Sequence, residues 1–163
     1  MFKYYYKTPD DFTNLVMISD GIYLTGLSFN ESNDELNSYK EKLIPVFEDT
    51  IKWLDMYFSG KVPNFNPNYK IENSTDFQKE VIKYMLEIPF GKVSTYGEIA
   101  RKIASDRNID NMSSQAVGHA ASKNPICIII PCHRVLGQNN KLIGYSGGIK
   151  NKIALLKRER IEL

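Results

Sequence analysis

A cysteine and a histidine are adjacent at Cys132 and His133, directly after the apolar run Ile126–Ile130 and Pro131. The run is long enough for a buried strand and too short for a typical helix, so it predicts a strand that ends at the proline. Such a strand would deliver the thiol to the edge of a core, where a neighbouring imidazole can help to form the nucleophilic thiolate. The pair alone favours a simpler interpretation, in which an incidental cysteine follows a buried strand.

The composition is that of a globular protein, since 42% of the 163 residues are hydrophobic and 25% are charged. A chain of this length can form one domain or two small ones. It has no apolar stretch of the roughly 20 residues that cross a bilayer. The first residues lack the apolar centre of a signal peptide, so we expect a cytoplasmic protein whose two cysteines are reduced.

Charge is distributed unevenly along the chain. Residues 1–74 carry 7 Lys/Arg and 11 Asp/Glu, a net charge of −4, whereas residues 75–163 carry 14 and 8, a net charge of +6. Only the second half is therefore suited to contact a polyanion. The net charge changes sign close to a polar, proline-containing segment. This change predicts two domains, over residues 1–72 and 73–163.

Strand and helix patterns divide the first half of the chain. Residues 2–8 predict an edge strand, and residues 13–29 predict a β-hairpin around a Ser-Asp-Gly turn. Residues 30–37 are polar and predict a loop or the start of a helix. From Pro45 onwards apolar residues recur at helical spacing until Gly60, which predicts an amphipathic helix that ends at the glycine.

The second half contains three predicted helices, over residues 76–87, 96–104 and 112–123. Thr75 and Thr95 are suited to cap the first two. The last two helices, joined by a polar turn, predict a helix-turn-helix, although many small helical domains contain such a pair. Small residues dominate the last helix, so it lacks large side chains for reading the major groove and could instead approach a minor groove closely.

Basic and glycine-rich segments complete the second half. Phosphate contacts would come from basic side chains, among them Lys92, Arg101 and Lys123. Residues 144–148 are glycine-rich and either connect flexibly to the final helix or wrap a small planar ligand. The final helix is predicted over residues 149–160 and is largely basic outside its apolar face.

At this point the second half resembles the methylated-DNA–protein-cysteine S-methyltransferases, also called alkylguanine-DNA alkyltransferases. The resemblance is carried by these motifs, in family order: Ile88-Pro89-Phe90-Gly91-Lys92-Val93 with Tyr96, Ala116-Val117-Gly118, Asn124-Pro125, Pro131-Cys132-His133-Arg134-Val135, and Gly144-Tyr145-Ser146-Gly147-Gly148 with Glu159 beyond. They span residues 76–160, and the motif around Cys132 is the family's signature. The first half matches more loosely, mainly at residues 54–61.

The resemblance implies an α+β protein in two parts. An N-terminal α/β domain with a small antiparallel sheet would precede a C-terminal winged-helix-like helical domain with a helix-turn-helix. Cys132 would take the alkyl group from the 6-oxygen of guanine in one irreversible displacement, after the base has been flipped out of the duplex. The implied partner is double-stranded DNA carrying an alkylated guanine, and the protein would be a monomer with no cofactor, no metal and no obligate protein partner.

The family pattern assigns catalytic roles to Cys132, His133, Glu159, Asn124 and Tyr96. His133 would accept the thiol proton through a water while Glu159 orients the imidazole, which is the nucleophile–base–orienter arrangement of a triad. Asn124 would hold the turn that carries Cys132. Tyr96 would donate to a guanine ring nitrogen as negative charge develops on the leaving base.

The pattern also implies contacts to the flipped base and to DNA. Tyr96, Ser146 and the backbone of Tyr145 would contact the base, and the Val135 carbonyl would accept from its exocyclic amine. The implied DNA-binding residues are Ser113, Ser114, Gln115, Ala116, Gly118 and Lys123.

Gln115 departs from the family pattern, which has an arginine there that fills the space left by the flipped nucleotide. Glutamine is shorter and uncharged, so we expect weaker DNA binding or slower base flipping. Some relatives also hold structural zinc in the N-terminal domain through cysteine and histidine, but residues 1–118 contain neither type.

Three other functions are compatible with parts of the pattern. A non-catalytic recognition protein of the alkyltransferase-like type shares the fold but replaces the acceptor cysteine, which Cys132 argues against. A transcriptional regulator that senses its own alkylation needs a further domain. A cysteine hydrolase takes its histidine from elsewhere in the chain, and His119 is the only histidine besides His133.

Overall fold

The computed structural model describes residues 1–29 and 33–162 and divides the chain into two compact units. The first unit comprises Met1–Glu72 together with Pro125–Cys127, and the second comprises Asn73–Asn124 together with Ile128–Leu163. The sequence placed residues 125–127 in the second domain, whereas here they belong to the first unit. Their main chain pairs with Leu27, whose amide donates to the Pro125 carbonyl at 2.9 Å and whose carbonyl accepts from the Cys127 amide at 2.8 Å.

The first unit contains a four-stranded mixed sheet. Its strands are β1 (Phe2–Tyr6), β2 (Leu15–Ser19), β3 (Leu24–Phe29) and β4 (Lys40–Glu41), in the order β3-β2-β1-β4. The hairpin β2–β3 and the pair β1–β2 are antiparallel, as predicted, but β4 lies parallel to β1. The prediction that β1 is an edge strand is therefore wrong, because the short β4 covers its free side.

One helix, α1 (Pro45–Phe58), packs its apolar face in the core of the first unit. Pro45 suits the first turn, where a missing N–H costs nothing, and Gly60 leaves the helix with φ 88°. The sequence predicted a loop or the start of a helix over residues 30–37. Positions 30–32 lie outside the described residues, and a short 3-10 helix occupies Asp34–Ser38.

The second unit is mainly helical. It contains α2 (Asp76–Leu86), α3 (Tyr96–Arg107), α4 (Ser114–Ala121) and α5 (Ile149–Arg158), with a parallel pair of two-residue strands, β5 (Ser94–Thr95) and β6 (Val135–Leu136). Within residues 1–29 and 33–162, no helix has the length and apolarity to span a membrane.

The helix ends of the second unit follow from their caps. Thr75 and Gln78 form a reciprocal capping box at the start of α2, and Thr95 caps α3. Helix α3 runs further than predicted, until Asn108 takes the left-handed conformation that asparagine tolerates. Helix α4 is shorter than predicted, because Ser113 is its cap and not its second residue.

The predicted strand Ile126–Ile130 is not a regular strand. All five residues are buried, but the chain turns at Ile128 and Ile129, and Ile128 has φ 71°. A β-branched residue in this region is a genuine outlier, and burial of its side chain has to outweigh a cost of about 1–3 kcal/mol. The apolar run thus reports burial correctly and the backbone conformation incorrectly.

Candidate active site

Cys132 is the first residue of a single turn of 3-10 helix, Cys132–Arg134. Only 5% of Cys132 is exposed to solvent. Pro131 has φ −83° and ψ 63°, the geometry of an inverse γ-turn, and the Cys132 amide donates to the Ile130 carbonyl at 2.8 Å. The proline therefore reverses the chain immediately before the cysteine. The thiol is carried by a tight turn and not by the end of a strand.

Asn124 holds the same turn from the other side. Its Nδ2 donates to the Ile130 carbonyl at 2.8 Å in a buried hydrogen bond. Because that carbonyl also accepts from the Cys132 amide, both of its lone pairs are used. The position of Cys132 is thus fixed by the end of the α4 segment as well as by Pro131.

His133 and Arg134 converge on the carboxylate of Glu159, which lies just after α5. Nε2 of His133 lies 2.5 Å from Oε2 of Glu159, and Nε of Arg134 donates to Oε1 at 2.7 Å. The Gly91 amide donates to the same Oε1 at 3.1 Å, and Nη1 of Arg134 donates to the Ile88 carbonyl at 2.7 Å. Arg134 therefore has a structural position, tying Glu159 to the segment between α2 and β5.

Burial and hydrogen bonding together set the charge states of Glu159 and His133. Burial alone would raise the pKa of Glu159, but the hydrogen bonds from His133 and Arg134 outweigh it and lower the pKa to about 2. Burial lowers the pKa of His133, and Glu159 opposes this effect only in part. At neutral pH the carboxylate is ionised and the imidazole is neutral, so Nε2–H donates to Glu159 and Nδ1 carries the lone pair.

A cavity of about 650 Å³ opens beside Cys132 in the second unit. Seven of the predicted site residues line it: Tyr96, Ser114, Gln115, Gly118, Cys132, Tyr145 and Ser146. Its walls come from the start of α3, from α4, and from the loop after β6. The volume lies within the range of pockets that enclose small organic ligands.

Tyr96 reaches the cavity because β5 and β6 pair in parallel. Thr95 is opposite Leu136, so the first residue of α3 lies next to the segment that follows Cys132. Gly118 of α4 lies beside the same ring, since a Cβ built there would be in ordinary van der Waals contact with Tyr96 at 3.8 Å. Burial raises the pKa of Tyr96 to about 12, with a further contribution from the charge of Cys132, so the phenol is a hydrogen-bond donor at neutral pH.

The remaining predicted residues lie outside the lining of the cavity. Asn124, His133 and Glu159 are buried behind Cys132, and Val135 is buried in β6. Ser113 caps α4, its Oγ accepting from the Ala116 amide at 3.2 Å, and both Ser113 and Lys123 are exposed at the two ends of that helix.

One buried residue of this site, Lys152, is absent from the sequence predictions. Its side chain is completely buried, and Nζ donates to the Val135 carbonyl at 2.7 Å. Nζ also lies 3.5 Å from the carbonyl oxygens of Ile143 and Gly144, so one ammonium group links β6 to the loop that lines the cavity. A signal existed in the sequence, because Lys152 precedes Leu156 and Glu159 at the helical spacing of the buried face.

Lys152 is also the buried positive charge nearest to the cavity's aromatic side chains. Its Nζ lies 6.0 Å from the centroid of the Tyr96 ring and 5.9 Å from that of Tyr145. Burial lowers the pKa of Lys152 to about 8, and the negative charge of a Cys132 thiolate opposes this effect. The attraction is mutual, so a protonated Lys152 stabilises the thiolate.

The fold and the site define a class of protein: a helix-turn-helix unit in which a buried cysteine lies in the wall of a cavity beside the second helix. The family model for the 6-O-methylguanine DNA methyltransferase DNA binding domain matches residues 76–161, and that for the ribonuclease-like domain of the same enzymes matches residues 1–70. The chain therefore belongs to the 6-O-methylguanine DNA methyltransferase family. This confirms the family and the two-part α+β fold predicted from the sequence.

Individual relatives match nearly the whole chain. A methylated-DNA–protein-cysteine methyltransferase of Haemophilus influenzae is 36% identical over 160 residues, which cover 97% of this chain and 87% of the relative. The protein of the same name from Mycobacterium tuberculosis is 38% identical over 158 residues, covering 96% and 92%. The crystal structure of Mycobacterium tuberculosis OGT in complex with DNA has a TM-score of 0.83 at 34% identity, covering 98% of this chain and 93% of that one.

Proposed function

We propose that the protein repairs DNA by a single, irreversible transfer of the alkyl group from 6-O-alkylguanine to Cys132. Family membership and the names of the relatives support the reaction, and DNA is the partner for the same reasons. The observation that carries the proposal for this chain is the position of Cys132 in the wall of a cavity beside α4 that is large enough to enclose a nucleobase. No second function has an observation in its favour, and the presence of a cysteine at this position disfavours a recognition-only protein.

The bonding changes are those of one displacement. A bond forms between Sγ of Cys132 and the alkyl carbon, the bond between that carbon and the 6-oxygen breaks, and its electron pair remains with the guanine. The thiol loses its proton and the departing guanine gains one, so protons balance over the reaction. The product thioether is stable, which makes each molecule usable once.

His133 and Glu159 fit the proton transfer. An ionised Glu159 holds Nε2–H of His133, which leaves Nδ1 as the basic nitrogen of a neutral imidazole. An imidazole has to be neutral to accept a proton, so the lowered pKa of His133 keeps it competent as a base at neutral pH. The carboxylate then stabilises the imidazolium that forms. In this proposal Asn124 and Pro131 position the thiol and take no proton.

The flipped guanine would lie between Tyr96 and the loop at Tyr145 and Ser146. The Tyr96 hydroxyl, protonated because its pKa is raised, would donate to a ring nitrogen and neutralise the charge that develops on the leaving base. Ser146 and the backbone of Tyr145 would contact the 6-oxygen. The Val135 carbonyl already accepts from Lys152, and its second lone pair would accept from the exocyclic amine of the base.

The exposed side of α4 would meet the DNA. Ser113, Ser114 and Gln115 lie at its exposed start, Ala116 and Gly118 are half-buried, and Lys123 is exposed just past its end. Small side chains permit close approach of the helix to a minor groove, and an alkylated base pair is weakened, which lowers the cost of flipping. Gln115 would fill the vacated space less effectively than a longer cationic side chain.

The decisive experiment is intact mass spectrometry after incubation with duplex DNA carrying one 6-O-methylguanine. The wild-type protein should gain one methyl group, and fragmentation should place it on Cys132. Cys132→Ser should gain none, whereas Cys127→Ala, which removes the other cysteine, should still be methylated. A wild-type protein that binds this DNA and gains no mass contradicts the proposal. We also expect the protein to be a monomer, which analytical ultracentrifugation would test. We expect it to be located in the cytoplasm, which cell fractionation would test.

A further inference from the structure

The wall of the cavity contains one charged side chain among its described lining residues, and that residue is Arg101 on α3. The lining residues that come from α4, Ser114, Gln115 and Gly118, are uncharged. A nucleotide that leaves the duplex keeps its phosphates, so a cavity that receives the base also receives negative charge at its opening. Arg101 is the side chain placed to meet that charge.

The guanidinium of Arg101 lies across the first turn of its own helix. A Cβ built on Gly97 would lie 3.5 Å from Nη1 of Arg101, so the side chain folds back towards the residue that follows Tyr96. Arg101 and Tyr96 both line the cavity, and both lie in the first two turns of α3.

No carboxylate of residues 1–29 or 33–162 pairs with this arginine. Glu98 is three residues before Arg101, a spacing at which acidic and basic side chains often pair on a helix. Here Oε2 of Glu98 accepts instead from the Ser94 hydroxyl at 2.8 Å. Throughout the described part of the chain Arg101 forms no salt bridge, and its side chain is exposed. Its five N–H donors remain available to a ligand.

We propose that Arg101 binds a backbone phosphate next to the flipped nucleotide and so holds the damaged base in the cavity. The inference rests on the proposed function and adds a positioning residue to it. A planar guanidinium can bind a phosphate through two parallel hydrogen bonds, which fixes orientation as well as distance. Arg101 thus provides from α3 a positive charge for the phosphate, which the uncharged Gln115 on α4 does not provide.

The contact between Arg101 and the phosphate can be tested by a double-perturbation cycle, in which one change removes the arginine and the other removes the phosphate charge. The single-turnover methylation rate would be measured for wild type and Arg101→Ala, each with normal duplex DNA and with DNA carrying a neutral methylphosphonate linkage immediately 5′ or 3′ to the 6-O-methylguanine. With normal DNA, Arg101→Ala should react about tenfold more slowly, as expected for loss of one charge-assisted hydrogen-bonding group. At one of the two linkages the methylphosphonate should slow the wild type similarly and slow Arg101→Ala little further.

Two further variants, Lys102→Ala and Arg101→Lys, together with the salt dependence of binding, distinguish a phosphate contact from a general effect of charge. Lys102→Ala removes the adjacent cation of α3, which lies near Tyr84 of α2 and outside the cavity lining, and it should react at the wild-type rate. Arg101→Ala should also reduce the slope of log affinity against log salt by about one, as for the loss of one phosphate contact. Arg101→Lys, which keeps the charge without the planar fork, should react at an intermediate rate.

The outcomes distinguish this inference from the function on which it rests. If the wild-type protein is not methylated by normal DNA, the proposed function fails. If it is methylated but Arg101→Ala reacts as fast as wild type, or if the arginine and methylphosphonate effects multiply at both linkages, only the phosphate contact is refuted.

Discussion

Replacing Lys152 with methionine should change how stability depends on pH. The ammonium group is fully buried, and its pKa is lowered from 10.5 to about 8 because burial disfavours the charged form. This fall corresponds to roughly 3 kcal/mol in favour of the neutral amine relative to the unfolded chain. Methionine has a similar length and no charge, so Lys152→Met removes the titration while filling most of the volume.

The direction of the change in the free energy of unfolding with pH follows from the number of protons that each state binds. Between pH 8 and 10.5 the unfolded chain keeps the proton on this lysine and the folded chain has lost it, so the free energy of unfolding rises with pH. For a single group with these two pKa values, the gain between pH 7 and pH 9 is about 1.3 kcal/mol. The stability of the wild type minus that of Lys152→Met should therefore increase by about this amount over the same interval, whatever its value at pH 7.

Urea unfolding at pH 7, 8 and 9 would measure the difference, with both proteins at the same ionic strength. Lys150→Met is the matched control, since it replaces an exposed lysine of the same helix. Carbon-13 NMR of labelled lysines gives an independent value, because the ε-carbon of Lys152 should titrate near pH 8. A stability difference that stays constant or falls between pH 7 and 9 would refute the view that burial dominates at Lys152.

Three further predictions concern the acceptor site. Tyr96→Phe should lower the single-turnover methylation rate roughly 100-fold, as for loss of a donor to developing charge, with little change in DNA affinity measured by fluorescence anisotropy. Asn124→Ala should lower the free energy of unfolding by about 1–3 kcal/mol, because it removes a buried hydrogen bond to the Ile130 carbonyl; an unchanged urea midpoint would contradict that role. The wild type should lose stability as pH falls from about 4.5 towards 2, because the folded-state pKa of Glu159 is lowered to about 2. Glu159→Gln should lack this acid-dependent loss while being less stable at pH 7, where Arg134 would be left buried without its carboxylate; acid titrations of both proteins followed by circular dichroism would test this.

Local signals predicted the elements of the fold because they act within a few residues. Pro45 and Gly60 mark the two ends of α1, and Thr75 with Gln78 forms the capping box of α2. These are interactions between neighbours along the chain, so the sequence contains all of the partners. The parallel pairing of β4 with β1 joins residues almost forty positions apart, and no local pattern could report it.

The run Ile126–Ile130 shows where periodicity stops being informative. A continuous apolar segment reports that every side chain is buried, but it does not distinguish a strand from a turn inside a core. Here Pro125–Cys127 pairs with β3 of the first unit, while Ile128 belongs to the second and adopts a positive φ. The conformation is set by two different tertiary environments within five residues. Motif resemblance predicted roles for Cys132 and its neighbours, whereas the contacts of Lys152 with the Val135 carbonyl and the Tyr96 ring are visible only in the three-dimensional structure.

The pKa of Lys152 should depend on whether Cys132 is a thiolate or has been methylated. A negative Cys132 raises the pKa of Lys152, so removing that charge should lower the pKa of Lys152 further below about 8. Cys132→Ser and methylated Cys132 both lack a thiolate, and the ε-carbon of Lys152 should titrate at lower pH in each than in the unmodified wild type. The two should agree closely, because each leaves the ammonium without its negative neighbour. If the Lys152 midpoint is the same before and after methylation, the thiolate and the ammonium do not interact, and Lys152 does not stabilise the nucleophile.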